Sequence, residues 1–221
     1  NVVASFPGNY NYTDNSVSKQ FAIDQAAPAM DIVTTPASPI APDTTVTVNV
    51  TVGKNATGIV LVNVSGEIHV VPIDADGNAV FTLDKVQPGD YNITATYNGD
   101  KNYNASSSKE SFGVDKFDTP LTFEGVKVTD DNNVTFVIKM NENATGNVTI
   151  MVNGVEKVGT VENGVARVNV GILTEATNPN TFTANYNGDE NFKTSSIAVN
   201  ATMGKLNNAT VKVEVIPGEF G

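Results

Sequence analysis

Hydrophobic and polar residues alternate with a period of two along most of the chain. Val46, Val48 and Val50 alternate with Thr and Asn, and the same pattern returns further along at Val134 and Phe136. Alternation over four to eight residues predicts a β-strand that buries one face. Further stretches of this kind lie at residues 60–64, 91–97, 148–152 and 182–186. No stretch shows convincing helical periodicity, so the pattern predicts an all-β protein.

Residue pairs that favour tight turns separate these predicted strands. Asn-Gly and Asp-Gly supply the positive φ angles that two-residue hairpins require. The turn pairs are Ser65-Gly66, Asp76-Gly77, Pro88-Gly89, Asn98-Gly99, Asn153-Gly154 and Asn163-Gly164. About seven short strands within about 90 residues is the spacing of a β-sandwich. The chain is therefore predicted to consist of tandem immunoglobulin-like β-sandwich domains of the Greek-key type.

Two motifs repeat along the chain. Tyr97-Asn-Gly-Asp100-Lys-Asn-Tyr103 returns as Tyr186-Asn-Gly-Asp189-Glu-Asn-Phe192, and in degenerate form as Phe6-Pro-Gly8-Asn9-Tyr-Asn-Tyr12. Asn55-Ala-Thr-Gly58 returns as Asn143-Ala-Thr-Gly146. Both give a period of about 90 residues, which is too long for a solenoid unit and suits an independent domain in a string.

The repeat sets the predicted domain boundaries. Residues 24–114 and 115–203 form two whole repeats, residues 1–23 the last two strands of a preceding repeat, and residues 204–221 the first strand of a following one. The two flanking pieces are either remnants or edges that pair with another chain by strand addition. Prolines near 24–28 and 115–120 are expected to restrict bending between repeats.

Composition excludes several classes of function. The chain has neither Cys nor Trp, which excludes an antibody-type disulfide packed on Trp, thiol catalysis and thiolate metal sites. Its formal charge of −11 repels phosphate and anionic lipid, so we expect no nucleic-acid partner and no direct membrane insertion of this part of the chain. It has no run of 18 apolar residues and no leader at Asn1, so any signal peptide or anchor is expected outside these residues.

Acceptor sequences for N-linked glycans are more frequent than chance. With 28 Asn and 36 Ser and Thr in 221 residues, composition gives about five Asn-x-Ser/Thr sequons, and the chain has eleven. Six of them fall on the phase of their strands opposite the apolar residues, where a glycan would leave the core undisturbed. These six are Asn49, Asn63, Asn92, Asn133, Asn147 and Asn200.

Other polar groups give weaker signals. Asp74-Ala-Asp76-Gly77-Asn78 lacks the remaining ligands of an EF-hand, so a hairpin turn is the preferred interpretation and no cofactor is predicted there. Asp115, Asp118, Asp130 and Asp131 lie near the junction of the repeats, where they form a weak candidate for interdomain calcium. His69 is the only histidine and has no catalytic partners signalled, so the chain is predicted not to be an enzyme.

The repeated motif also carries a family resemblance. With Pro88-Gly89-Asp-Tyr91 ahead of Tyr97-Asn-Gly-Asp100, the chain resembles the bacterial immunoglobulin-like (Big) domain repeats, as in adhesin-like surface proteins of methanogenic archaea. The second repeat departs from the motif because Asn180 stands where Tyr91 does. The resemblance implies a sandwich fold and an extracellular location at the cell surface, and it brings no catalytic residues.

The expected function is that of a non-catalytic stalk, held at the cell envelope through the rest of the protein and projecting a distal domain. One alternative is direct adhesion to host or microbial surface glycans or proteins, with Tyr103 and Phe192 as a candidate adhesive loop. Another is a filament or layer assembled by strand complementation. Exposure of the Tyr103 and Phe192 rings would favour adhesion, because sugar sites usually present aromatic rings to solvent.

Overall fold

A computed structural model of the chain describes residues 1–129, 133–173, 180–203 and 211–215, with only the backbone described at 180, 200–203 and 211–215. These residues fall into two compact units. The first consists of residues 1–35, 47–83 and 91–111, and the second of residues 36–46, 84–90 and 112–221.

The regular structure in the described residues is β-strand, as the alternating pattern predicts. None of the described residues forms a long apolar helix of the kind that crosses a membrane. The strands are β1 (Val2–Phe6), β2 (Asn15–Lys19), β3 (Asp31–Thr35), β4 (Val46–Thr51), β5 (Ile59–Val64), β6 (Glu67–Pro72), β7 (Asn78–Leu83), β8 (Gly89–Tyr97), β9 (Ser106–Val114), β10 (Thr122–Val128), β11 (Asn133–Lys139), β12 (Asn147–Val152), β13 (Val155–Glu162), β14 (Val165–Ile172), β15 (Asn180–Tyr186), β16 (Ser195–Met203) and β17 (Val211–Val215).

The strands of the first whole repeat form two antiparallel sheets. The smaller has the order β3-β4-β7 and the larger the order β6-β5-β8-β9. Val46, Val48 and Val50 of β4 are fully buried, and so are Val60 and Val62 of β5, while the residues between them are more exposed. The repeat is an immunoglobulin-like β-sandwich, and its buried phase is the apolar phase of the alternating pattern.

The strands of the second whole repeat, β10 to β16, form one continuous sheet together with β17, in the order β10-β11-β14-β13-β12-β15-β16-β17. The long strand β13 joins its two halves, because one end of β13 pairs with β12 and the other with β14. The core contains Phe136, Ile138, Ile150, Phe182 and Tyr186, all buried. Phe136 and Phe182 meet edge to face, with ring centroids 5.3 Å apart.

The predicted turn pairs connect these strands. Ser65-Gly66, Asn153-Gly154 and Asn163-Gly164 have positive φ at both residues, as the two-residue hairpin requires. Gly77 does more than turn the chain. Its φ is +85° and its carbonyl accepts a hydrogen bond from the Val52 amide at 2.9 Å, so the turn lies directly against the end of β4.

The flanking pieces are also paired. β1 and β2 form an antiparallel hairpin in which the side chains of both strands are exposed. At the other end β17 pairs in antiparallel fashion with β16. The assignment of residues 1–23 and 204–221 to neighbouring repeats stays a prediction.

Candidate functional site

The repeated Tyr-Asn-Gly-Asp motif folds into a hydrogen-bonded turn centred on Asp100. Oδ1 of Asp100 accepts hydrogen bonds from the amides of Asn102 at 2.7 Å and Tyr103 at 2.8 Å. Oδ2 accepts from the Thr57 amide at 2.8 Å and the Thr57 hydroxyl at 2.9 Å. One carboxylate therefore closes its own loop with one oxygen and holds the start of β5 with the other.

The second repeat builds the same turn around Asp189. Its Oδ1 accepts from the amides of Asn191 and Phe192, both at 2.8 Å. Its Oδ2 accepts from the amide and the hydroxyl of Thr145, both at 2.8 Å. All four contacts recur, so the geometry belongs to the repeat and not to one copy of it.

The tyrosine of each motif makes a further hydrogen bond to the same threonine. Tyr97 donates from its hydroxyl to the Thr57 carbonyl at 3.2 Å, and Tyr186 donates to the Thr145 carbonyl at 2.8 Å. Both rings are buried. One motif thus binds the amide, the hydroxyl and the carbonyl of each threonine. These contacts hold β5 against β8 in the first repeat and β12 against β15 in the second.

The degenerate copy near the N-terminus keeps half of this arrangement. Oδ1 of Asn9 accepts from the amides of Asn11 at 3.0 Å and Tyr12 at 2.9 Å, so the loop closes in the same way. Phe6 stands in place of the tyrosine and has no hydroxyl to donate, and an amide nitrogen replaces the second carboxylate oxygen. The groups that fasten the threonine in the whole repeats are therefore missing from the first hairpin.

These contacts set the pKa values of the motif. Burial alone would raise the pKa of Asp189, but hydrogen bonds from Thr145, Phe192 and Asn191 to the charged form outweigh it and lower the pKa to about 2. The same balance holds the pKa of Asp100 well below its usual range. Burial, followed by the charge and hydrogen bonding of Asp189, raises the pKa of Tyr186 to about 12, which keeps its hydroxyl protonated as a donor.

Acid is expected to weaken the second repeat. Asp189 has a folded pKa of about 2 against an unfolded value of about 3.9, so the unfolded chain takes up the proton first. The stabilisation by this carboxylate is complete above about pH 5 and is lost as the pH falls through the folded pKa. Allowing for solvent screening, the loss is about 1 kcal/mol in the free energy of unfolding. Thermal unfolding followed from pH 5 to pH 2 by circular dichroism measures it.

Asp189→Asn is the matched control for this acid effect. As at Asn9, the amide oxygen can still accept from the two loop amides, but the group no longer titrates. We expect the variant to be less stable than the wild type at pH 5 and the difference to shrink towards pH 2. A difference that stays constant with pH would show that Asp189 does not carry the effect.

The N-terminal segment of each whole repeat runs parallel to its last strand or to the loop before it. Ala26 bridges Tyr103, and Ile40 bridges Val114 with hydrogen bonds from Ile40 to Gly113 at 3.0 Å and from Asp115 to Ile40 at 2.8 Å. In the second repeat Phe117 bridges Phe192 in the same parallel sense.

The candidate adhesive loop does not present its rings to solvent. Phe192 is 5% exposed, belongs to the core of the second repeat and lies 5.6 Å from the ring of Phe117. Tyr103 is half-buried and donates from its hydroxyl to the Lys54 carbonyl at 2.9 Å. The loop turns these side chains inward. In the degenerate copy of the motif, by contrast, the aromatic side chains of Tyr10 and Tyr12 are exposed.

The six predicted glycan acceptors differ in their surroundings. Asn63, Asn92 and Asn147 are exposed, whereas Asn49 and Asn133 are half-buried. Asn49 lies on the middle strand of its sheet, where its Oδ1 is buried without a hydrogen-bond partner. Strand phase alone predicts that Asn49 faces outward, but it does not show that neighbouring strands enclose it on both sides. The side chain of Asn200 lies outside the described residues.

The weaker candidates have local structural partners. Oδ1 of Asp74 accepts from the amides of Asp76 at 2.9 Å and Asn78 at 2.8 Å, which is an Asx-type turn. Lys193 lies 3.0 Å from Asp118 and 3.9 Å from Asp115, and the pKa of Lys193 is raised by its hydrogen bond to Asp118. Asp130 and Asp131 lie outside the described residues.

His69 and the acidic residues were also considered as parts of a catalytic or metal site. The His69 ring stacks on Phe81 with centroids 4.6 Å apart, and its Nε2 lies 3.7 Å from Glu67. Within residues 1–129, 133–173 and 181–199, where side chains are described, no group of three or more His, Cys, Asp or Glu could hold a metal ion. The hydrogen bonds of the repeated site hold neighbouring strands together.

Sequence reasoning missed the role of the two threonines. It identified Asn55-Ala-Thr57-Gly and its copy only as a repeated motif, not as a partner of the aspartate. The signal was available, because Thr57 and Asp100 recur together as Thr145 and Asp189. Two polar residues that recur together at nearly the same separation, here 43 and 44 residues, are candidates for a contact between distant strands.

Several solved structures are similar to the chain at a low level. A 1.5-MDa bacterial ice-binding adhesin, described for its host cell surface retention, is 14% identical with a TM-score of 0.34, covering 93% of this chain and 69% of that one. A Ca²⁺-stabilised adhesin with which an Antarctic bacterium binds ice is 17% identical with a TM-score of 0.32, covering 96% and 54%. Apo β-glucuronidase 3 of Bacteroides uniformis is 13% identical with a TM-score of 0.30, covering 78% and 25%.

These three likenesses do not assign a function. This chain spans about half of the second protein and a quarter of the third. No curated protein matches the chain in sequence. A family match comes instead from residues 33–115, which fit the bacterial Ig-like domain, group 3, and run from β3 to just past β9. Residues 33–115, a little over a third of the chain, thus match the bacterial Ig-like domain family.

Proposed function

We propose that the chain is a non-catalytic, tension-bearing spacer in an adhesin-like protein of the cell surface. The match of residues 33–115 to the bacterial Ig-like family supports an extracellular setting. A spacer needs domains that stay folded while their two ends are pulled apart. It does not need a pocket or a reactive group, and the repeated site supplies neither.

The observation that carries the proposal is the parallel pairing of each N-terminal segment. In the first repeat Ile40, ahead of β4, and Asp115, just past β9, are joined by a hydrogen bond of 2.8 Å. The Ile40 amide donates to Gly113, and the Gly113 amide donates to the Ser38 hydroxyl at 3.1 Å. Parallel strands pulled from opposite ends load these bonds together in shear, whereas antiparallel neighbours would open one bond at a time.

The second repeat has an analogous attachment. The Phe117 amide donates to the Asn191 carbonyl at 2.8 Å, and the Lys193 amide donates to the Phe117 carbonyl at 2.9 Å. Lys193 also pairs with Asp118 at 3.0 Å. The entering segment is thus bonded to the Asp189 turn, which itself fastens β12 through Thr145.

Asp115→Pro is expected to make the first repeat easier to unfold by force. Proline removes the amide that donates to Ile40, while Asp115 is exposed and follows an extended residue, so the ring should be tolerated. One backbone hydrogen bond is worth about 0.5–1.5 kcal/mol, which corresponds to roughly two- to tenfold faster unfolding under constant load. Single-molecule force spectroscopy measures this, with each repeat adding roughly 300 Å of extended chain.

Asp115→Ala is the control, since it removes the carboxylate but keeps the amide. We expect it to unfold at nearly the wild-type rate, and the second repeat to provide an unchanged event in every trace. If proline and alanine at position 115 unfold alike, the bond to Ile40 is not under load and the tension-bearing role is wrong.

A further inference from the structure

Asn63 stands out among the exposed sequons because of its neighbours. It lies on the outward phase of β5, opposite Ile68 of the edge strand β6 and opposite Thr94 of β8. The next outward pair along the same two strands is Leu61 and Val70. Asn63 therefore lies at one end of an apolar strip on the outer face of the four-stranded sheet.

The strip is exposed and lies at a free edge. Ile68 is 64% exposed and Val70 is 62% exposed, and Ile59 and Pro72 extend the strip at its far end. The outward residues of β6 include no charge, although charged side chains are the usual protection of an edge strand. Apart from Glu67 at its start, β6 therefore presents an apolar outward face, and such a face is a site of association unless something covers it.

The amide group of Asn63 is arranged to accept a sugar without disturbing the fold. Its Oδ1 accepts a hydrogen bond from the Gly66 amide at 2.8 Å, within the turn that joins β5 to β6. A glycan attaches to Nδ2 and leaves the carbonyl oxygen in place, so the turn and the modification are compatible. Ser65 supplies the hydroxyl residue of the sequon two positions on.

We propose that Asn63 carries an N-linked glycan that covers the apolar strip of β5 and β6. The donor is an oligosaccharide linked to a lipid phosphate or pyrophosphate. Nδ2 forms a bond to the anomeric carbon and loses one proton, while the bond from that carbon to the phosphate oxygen breaks. The lipid phosphate leaves with the electron pair, so no oxidant or reductant takes part.

Asn49 provides the internal contrast. It has the same type of sequon and the same outward strand phase, but it is half-buried on a middle strand and its Oδ1 is enclosed. Its amide group is therefore less accessible to a sugar donor than that of Asn63. The proposal therefore predicts occupancy at Asn63 and none at Asn49 in the folded protein.

Glycopeptide mass spectrometry of the full protein, purified from the cells that make it, tests the occupancy. The expected result is a sugar-bearing peptide that contains Asn63 and a bare peptide that contains Asn49. A bare Asn63 overturns the proposal, and so does a glycan at Asn49, because burial would then not decide which sequons are used.

Two variants made in the same cells test the covering role. Asn63→Gln and Ser65→Ala remove the sequon by different routes, but each also removes a contact of the turn, from the Gly66 amide to Asn63 at 2.8 Å or from the Asn92 amide to the Ser65 hydroxyl at 3.1 Å. The wild type and both variants are therefore also made in cells that attach no glycan, where any difference comes from the turn. We expect each to raise binding of a hydrophobic dye and self-association by at least about twofold. Asn147→Gln, which removes an exposed sequon of the second repeat, should change neither. Unchanged dye binding and association in both Asn63-sequon variants would show that the glycan does not cover the strip.

Discussion

Replacing Tyr186 by alanine is expected to destabilise the second whole repeat by about 3–5 kcal/mol. The side chain is 1% exposed and lies in the core with Phe182 and Ile150. Truncation would leave a cavity and would also release the Thr145 carbonyl from the tyrosine hydroxyl. In a domain of this size each kcal/mol lowers Tm by roughly 4–8 °C, so thermal unfolding should show a large shift.

Tyr186→Phe separates the ring from the hydroxyl. It keeps the core filled and removes only the donor to Thr145, a loss of about 1 kcal/mol. Phe6 occupies the equivalent position of the first hairpin, so the ring alone is compatible with the strand. An alanine variant no less stable than the phenylalanine variant would show that the ring does not support the core. Tyr97, equally buried, is expected to behave in the same way in the first repeat.

Strand phase was predictable because it depends on near neighbours. Whether Val48 or Thr47 faces the core follows from alternation along one strand, and the structure places Val48 in the core with Thr47 half-buried. The same holds for turns such as Asn153-Gly154, where two adjacent residues determine the backbone. These features make up most of the fold, which is why an all-β sandwich could be derived from the pattern.

The polar connections were not predictable from one strand at a time. Thr57 and Asp100 are 43 residues apart, and only the pairing of β5 with β8 brings them within 2.8 Å. The enclosure of Asn49 was not predictable for a related reason, because it depends on which strands lie on either side. Phe192 follows a turn and carries no alternating pattern of its own, so its burial becomes visible only when Phe117 pairs with it.

Gly77→Ala is expected to cost the first repeat about 3 kcal/mol or more. A Cβ at this position would lie 1.9 Å from the Gly53 carbonyl oxygen and 2.5 Å from its carbon. Both are backbone atoms, so no side chain can rotate to make room. The chain would have to move away from the end of β4 and lose the hydrogen bond from Val52 to Gly77. Urea unfolding of the variant against the wild type measures the loss.

Gly66→Ala shows how much of that loss is backbone strain alone. Gly66 also has a positive φ, +105°, in the same repeat, but a Cβ there meets no atom within 4 Å. It should therefore cost only the preference of glycine for this conformation, about 1 kcal/mol. If the two variants lose the same stability, the close approach of Gly77 to Gly53 is not maintained in solution. If Gly77→Ala loses far more, the Asp-Gly pair is required for two reasons, since it turns the chain and also lets two backbone segments touch where no side chain fits.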